Sequence, residues 1–305
     1  MRKTALLVTA LIILLLATTC SYDPVRKVRD PYFQNIIVVG IDGGGSLFDN
    51  GDAVTDEFND FFSTNGNIFY NYKCETPSIS AQNWGAYLHG VTPEKLEVNN
   101  LKIASVRFTD TFHPSVFQVI HDAAPDFTLA SICHWTPINY GLIETSAGVY
   151  KDNDIRFRFE TYTDHEVRDH VVEYVDANMP TLLFVHLDDV DETGHAKGYG
   201  SPEPLEAIRM NQDLILDMFA GYDPDTTLFI VVTDHGGTPD GEHGGDTEPE
   251  MRITLAIRGK GLNISAFDGF EYHPRDLAPI ILTALGIEVP SCMDGHCPEG
   301  LFTTI

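Results

Sequence analysis

The chain is poor in basic residues, in cysteine and in long apolar runs. Only 19 lysines and arginines stand against 45 aspartates and glutamates, a formal net charge of −26 over 305 residues. Nucleic acid and anionic membranes would be repelled at long range by that balance, so no nucleic-acid-binding surface is expected. Five cysteines without a C-x-x-C pair exclude a cysteine zinc site. The longest apolar run, from Ala5 to Ala17, has 13 residues, against the roughly 20 that a membrane-spanning helix needs. Internal repeats and low-complexity tracts are also missing. What remains is 43% hydrophobic and 21% charged, the profile of a chain that folds around a core.

Arg2 and Lys3 precede the apolar run and small polar residues follow it, which is the pattern of a signal peptide over residues 1–20. A short leader (21–34) and a single catalytic domain (35–305) complete the expected organisation. The protein is therefore expected to be exported, secreted or periplasmic, with lipid anchoring through Cys20 as the alternative. Ala17 fits a lipoprotein cleavage box poorly, because a large aliphatic residue belongs there. Thiols in an oxidising compartment pair. Cys292 and Cys297 flank a four-residue loop and form the natural local disulfide, which leaves Cys74 for Cys133.

Short, nearly continuous apolar runs at Asn35 to Ile41, Phe127 to Cys133, Thr181 to Leu187, Thr227 to Thr233 and Arg252 to Ile257 read as strands buried on both faces. Helical spacing separates them at Ala81 to His89, Pro114 to Ala123, Asp164 to Ala177, Pro204 to Phe219 and Arg275 to Leu285. This alternation predicts an α/β fold, a mainly parallel central sheet with helices on both faces. Ligands of such sheets gather at the carboxyl ends of the strands. Those ends carry Asp42, then Asp188, Asp189 and Asp191, then Asp234 and His235. His195 follows Asp191 by four residues and His243 follows His235 by eight, both in what read as glycine-rich turns. Taken one at a time, an aspartate after a strand is a helix cap. Together, with no lysine or arginine among them, they are a donor set for divalent metal. His273, which precedes the last helix, competes with His243 for the third position.

Ser80 opens a predicted helix, where the helix amino end favours an oxyanion and free N–H groups face an incoming phosphate. A plain N-cap is the commoner use of serine at that position. His89 reads as structural, and His134 and Trp135 as packing residues at the end of the second strand.

These segments carry a resemblance. Ile41-Asp42-Gly43, Thr76-Pro77-Ser78-Ile79-Ser80 with Gly90-Val91-Thr92-Pro93-Glu94, Asp191-Glu192-Thr193-Gly194-His195, and Thr233-Asp234-His235-Gly236-Gly237 with His243-Gly244-Gly245 resemble, in order, the motifs of the alkaline phosphatase superfamily. Within it they resemble the type I phosphodiesterase/nucleotide pyrophosphatase group. The resemblance implies that Asp191, His195 and His243 hold one Zn2+, and that Asp42, Asp234, His235 and the Ser80 oxygen hold the other. It further implies that Ser80 is the nucleophile of a phosphoserine route and that the substrate is a small phosphate ester. An asparagine some twenty residues after the nucleophile contacts phosphate in this group, which points to Asn100, with Asn99 as the alternative. Three departures matter. Serine stands where the pyrophosphatases usually carry threonine. No arginine lies between Ser80 and Lys102, which favours a diester over a monoester. The C/S-x-P-x-R motif of sulfatases is missing. A phosphomonoesterase is the nearest rival reading, and a non-catalytic binding protein of the same fold the more distant one.

Overall fold

The computed structural model describes residues 25–45, 47–48, 53–109, 112–151 and 163–303. The expected signal peptide lies outside them. The described strands are β1 (Asn35–Ile41), β2 (Gly66–Lys73), β3 (Leu129–Cys133), β4 (Tyr150–Lys151), β5 (Leu182–Leu187), β6 (Thr227–Thr233) and β7 (Arg252–Arg258). The helices up to the fifth strand are α1 (Asp56–Ser63), α2 (Ser80–His89), α3 (Pro93–Leu96), α4 (Asn100–Ser105), α5 (Val116–Ala123), α6 (Pro137–Gly141) and α7 (Asp164–Asn178). After it come α8 (Asp189–Lys197), α9 (Pro202–Phe219), α10 (Glu248–Met251) and α11 (Leu277–Ala284).

All seven strands form one sheet in the order β2-β7-β6-β1-β5-β3-β4. The strands from β6 to β4 run parallel, and β7 pairs antiparallel with both β6 and β2. The mainly parallel sheet read from the sequence is thus the observed one. Alternation along β1 explains how both faces are filled. Ile36 and Val38 enter one buried cluster, with Trp84 and Tyr87 of α2, Phe117 of α5 and Ile281 of α11. Ile37, Val39 and Ile41 enter the other, with Phe58 of α1, Val171 of α7 and Ile215 of α9. A strand buried on both faces has no polar side to show, which is why its sequence is a continuous apolar run.

In register, Ile41 at the end of β1 stands between Leu187 of β5 and Thr233 of β6. The residues that follow them, Asp42, Asp188 and Asp234, therefore leave the sheet side by side, at a strand spacing of about 4.8 Å. Neighbours on both sides of β1 make this the crevice where an α/β sheet receives its ligand.

Neither expected disulfide forms among the described residues. Cys74 follows β2 and Cys133 ends β3, five strand positions apart in the sheet, about 24 Å at that spacing. A disulfide needs Cα atoms within about 7 Å. Cys74 instead packs against Met251, its Sγ 3.7 Å from Sδ. In the tail loop Cys297 Sγ turns to the carbonyl of Pro298 at 3.7 Å. No helix among the described residues is long and apolar enough to cross a membrane.

Candidate metal centre

The site is built from both helix layers meeting over the ends of β5, β1 and β6. Ser80 arrives on α2 from one face, and Asp191 and His195 arrive on α8 from the other. A turn after β6 brings His243 across the top.

Asp42 is 1% exposed, and its two oxygens are divided between tasks. Oδ2 accepts from Trp84 Nε1 at 2.9 Å and pairs with His186 Nε2 at 3.0 Å. Trp135 N–H donates to His186 Nδ1 at 3.4 Å, so the ring proton of His186 sits on Nε2 and is donated to Asp42. Oδ1 is left facing the cavity, 3.3 Å from His235 Nε2 and 3.4 Å from Ser80 Oγ. Burial alone would raise the Asp42 carboxyl, but the hydrogen bonds and charge of His186 and His235 outweigh it and hold it well below the usual range. Asp234 is wholly buried; one oxygen accepts from Gly43 N at 3.1 Å and His235 N at 2.9 Å. Its other oxygen, Oδ2, has no hydrogen-bond partner among the described residues. Burial and the charge of Asp42 push Asp234 well above the carboxylate range.

Asp191 and His195 are four residues apart on α8, so both side chains lie on one face of the helix. They lie within a helix and not in the glycine-rich turn expected from the sequence. Gly194 lies within the helix, and its bare Cα leaves room for the ring of Tyr199, which packs where a Cβ would stand. His195 Nε2 is 3.3 Å from Asp191 Oδ2, and that hydrogen bond lifts the imidazole to about 9. His243 Nε2 lies 3.1 Å from His195 Nε2 and 3.8 Å from Asp191 Oδ1. Ser78 anchors the His243 turn: its hydroxyl donates to Gly245 O at 2.8 Å and accepts from Gly244 N at 2.9 Å. His273 is elsewhere, its N–H bonded to Asp276 at 2.7 Å at the start of a 3-10 turn.

The tautomers decide whether this set suits a metal. Nδ1 of His195 faces the carbonyl of Gly241 at 2.8 Å, Nδ1 of His243 that of Ser78 at 2.8 Å, and Nδ1 of His235 that of Gly236 at 2.9 Å. A carbonyl only accepts, so each Nδ1 carries a proton, and each ring presents to the cavity an Nε2 whose own proton a bound cation would displace to free the lone pair. Two such lone pairs 3.1 Å apart repel unless a cation or a proton lies between them. Asp42, Asp234 and His235 bring ligand atoms within 4.8 Å of one another, as do Asp191, His235 and His243. Both groups draw on His235, and together these residues offer a donor set for divalent metal.

Ser80 is the first residue of α2, and the N-cap is Ile79. The capping alternative therefore has no support, since the hydroxyl points to Asp42 and to His235 Nε2 at 3.3 Å. Asn100 Oδ1 accepts from Ala81 N at 3.0 Å, beside the nucleophile position. Asn99 caps α4 by accepting from Lys102 N at 2.8 Å. Sequence reasoning missed Trp84, His186 and Tyr199, whose hydroxyl donates to Asp191 Oδ1. The signal for His186 was available, as a single polar residue inside an apolar strand.

The sheet order and the acid-and-imidazole crevice define an alkaline phosphatase-like α/β fold. Among solved structures, murine ectonucleotide pyrophosphatase/phosphodiesterase 5 superposes with a TM-score of 0.60 at 14% identity, over 87% of this chain and 98% of that one. A 2-O GAG sulfatase superposes with a TM-score of 0.62 at 14% identity, over 88% and 73%. Residues 36–244 match the family described as type I phosphodiesterase/nucleotide pyrophosphatase, and the chain belongs to it. Over 143 residues it is 32% identical to the catalytic subunit of GPI ethanolamine phosphate transferase 3 of Homo sapiens, covering 46% of this chain and 13% of that protein. Over 144 residues it is 28% identical to 2,3-bisphosphoglycerate-independent phosphoglycerate mutase of Clostridium perfringens, covering 44% and 26%. The chain matches only a minor part of the length of these curated relatives.

Proposed function

We propose that the protein is an exported, two-zinc phosphodiesterase that works through a phosphoserine intermediate. The observation that carries this reading is the convergence of three Nε2 lone pairs and the cavity-facing oxygens of Asp42, Asp191 and Asp234 on one crevice beside Ser80 Oγ. Asp191, His195 and His243 hold one ion; Asp42, Asp234, His235 and Ser80 hold the other. When bound, zinc supplies the positive charge that lowers the pKa of the serine hydroxyl and stabilises the attacking and leaving oxygens.

The residues of the chain do the rest. Ser80 loses its proton to solvent, its oxygen forms the bond to phosphorus, and the alcohol on the opposite side departs and is protonated by water. Water then cleaves the Ser80–phosphorus bond and restores the hydroxyl. The amino end of α2 favours the negative charge carried by the phosphoryl oxygens. Asn100, fixed through Oδ1 to the Ala81 amide, offers its side-chain N–H groups to one of those oxygens. Trp84 and His186 hold Asp42 so that only Oδ1 faces the centre.

Zinc-loaded protein should hydrolyse bis-p-nitrophenyl phosphate at least tenfold faster than p-nitrophenyl phosphate. A monoester preference would assign a phosphomonoesterase, and no turnover of either a binding protein. The curated relatives favour a second reading, in which the phosphoryl group on Ser80 passes to an alcohol. Product partition in the presence of ethanolamine separates transfer from hydrolysis.

A further inference from the structure

We propose that His134, Asp189 and Glu192 form a third divalent-cation site, outside the two-metal crevice, that takes an ion of the zinc or manganese class. His134 follows β3 and is 6% exposed. Its Nδ1 lies 2.8 Å from Asp164 Oδ1. A carboxylate accepts, so Nδ1 carries the proton and Nε2 carries the lone pair. That Nε2 is buried and has no hydrogen-bond partner among the described residues. Asp164 is itself immobile: it is wholly buried and accepts from the backbone N–H of Asp188 at 2.9 Å and Asp189 at 3.1 Å. A buried carboxylate fixing the protonated nitrogen while the other nitrogen is left bare is the support that a metal-binding histidine receives.

The bare nitrogen faces an acceptor, not a donor: Glu192 Oε1 is 3.9 Å from Nε2, while Asp189 Oδ1 lies 3.6 Å from the protonated Nδ1 on the same edge of the ring. Ligand atoms of the three residues lie within 4.8 Å of one another. Asp189 and Glu192 stand three apart in the first turn of α8, on one side of the helix. Among the described residues no lysine or arginine pairs with either. The cluster opens on a groove lined by Asp189, Glu192, Thr193, Glu203 and Glu206, an acidic approach for a cation with room for solvent ligands. One imidazole with two carboxylates suits zinc or manganese better than calcium, which takes oxygen alone. An ion here would tie β3 to the start of α8, the helix that carries Asp191 and His195.

The test uses the full chain and zinc itself, with bound metal measured after equilibrium dialysis at controlled free zinc. Glu192 has a side chain 52% exposed, so Glu192→Gln should fold. Glu192→Gln and Asp189→Asn should each bind one zinc fewer than wild type. His243→Ala should lose metal from the other centre on either background. The difference between wild type and Glu192→Gln reports the third site alone, whatever the total count says about the two-zinc reading. Equal zinc content in wild type and Glu192→Gln at every free-zinc level would overturn the proposal.

Discussion

Two adjacent asparagines show how one position separates support from chemistry. Asn99 caps α4 and Asn100 reaches back to the first turn of α2. Asn99→Ala should cost about 1 kcal/mol of stability, the usual worth of an N-cap, and leave kcat/KM unchanged. Asn100→Ala should lower kcat/KM by about tenfold, a loss of about 1.4 kcal/mol in line with a hydrogen bond to a charged group, with a smaller change in thermal midpoint. Midpoints and kinetics measured on both variants check the assignment. An equal kinetic effect from Asn99→Ala would reverse it. Sequence distance alone left the two open, because it counts residues and not the turn that aims one side chain at the helix and the other along it.

At the scale of elements, the strands that carry the chemistry were legible and the edges were not. β1 and β6 were read at their observed bounds, because burial on both faces forces a continuous apolar run. β2 was missed. It is an edge strand in which only Ile68 is buried, and Gly66, Asn67 and Asn71 interrupt any pattern. α8 was missed for a different reason: its apolar positions are few, and Gly194 beside His195 reads as a turn although the first turn is acidic, as a helix start should be. Asp42, Asp234 and His235 were visible in the sequence, because strand ends in a parallel sheet are marked by where the apolar run stops. The supports were hidden, since the Trp84 and His186 contacts to Asp42 cross 42 and 144 residues of chain. Trp84→Phe keeps an aromatic ring in the core, vacates part of the space beside Gly40 and removes one of the two donors on Asp42 Oδ2. It should cost about 1–2 kcal/mol of stability and weaken zinc binding, which calorimetric unfolding and zinc titration would measure. An unchanged zinc affinity would show that His186 orients Asp42 unaided.

For the whole molecule, charge poses the largest question, since a protein at −26 is proposed to attract an anion. Bound metal ions are the strongest local charges in a site and reverse its sign for a phosphate. They should also stabilise the fold, because Asp42, Asp188, Asp191 and Asp234 crowd one crevice and burial pushes Asp188 and Asp234 up. A ligand at a hundred times its dissociation constant adds about 2.7 kcal/mol, so chelation should lower the thermal midpoint by several degrees and zinc should restore it. A midpoint indifferent to chelator would contradict the two-zinc reading. The covalent route through Ser80 can be tested on one sample of Ser80→Ala assayed for zinc content, thermal midpoint and diester turnover. Ser80→Ala should keep nearly wild-type zinc and midpoint while turnover falls by several orders of magnitude; a lowered midpoint with nearly full activity would rule out the covalent route.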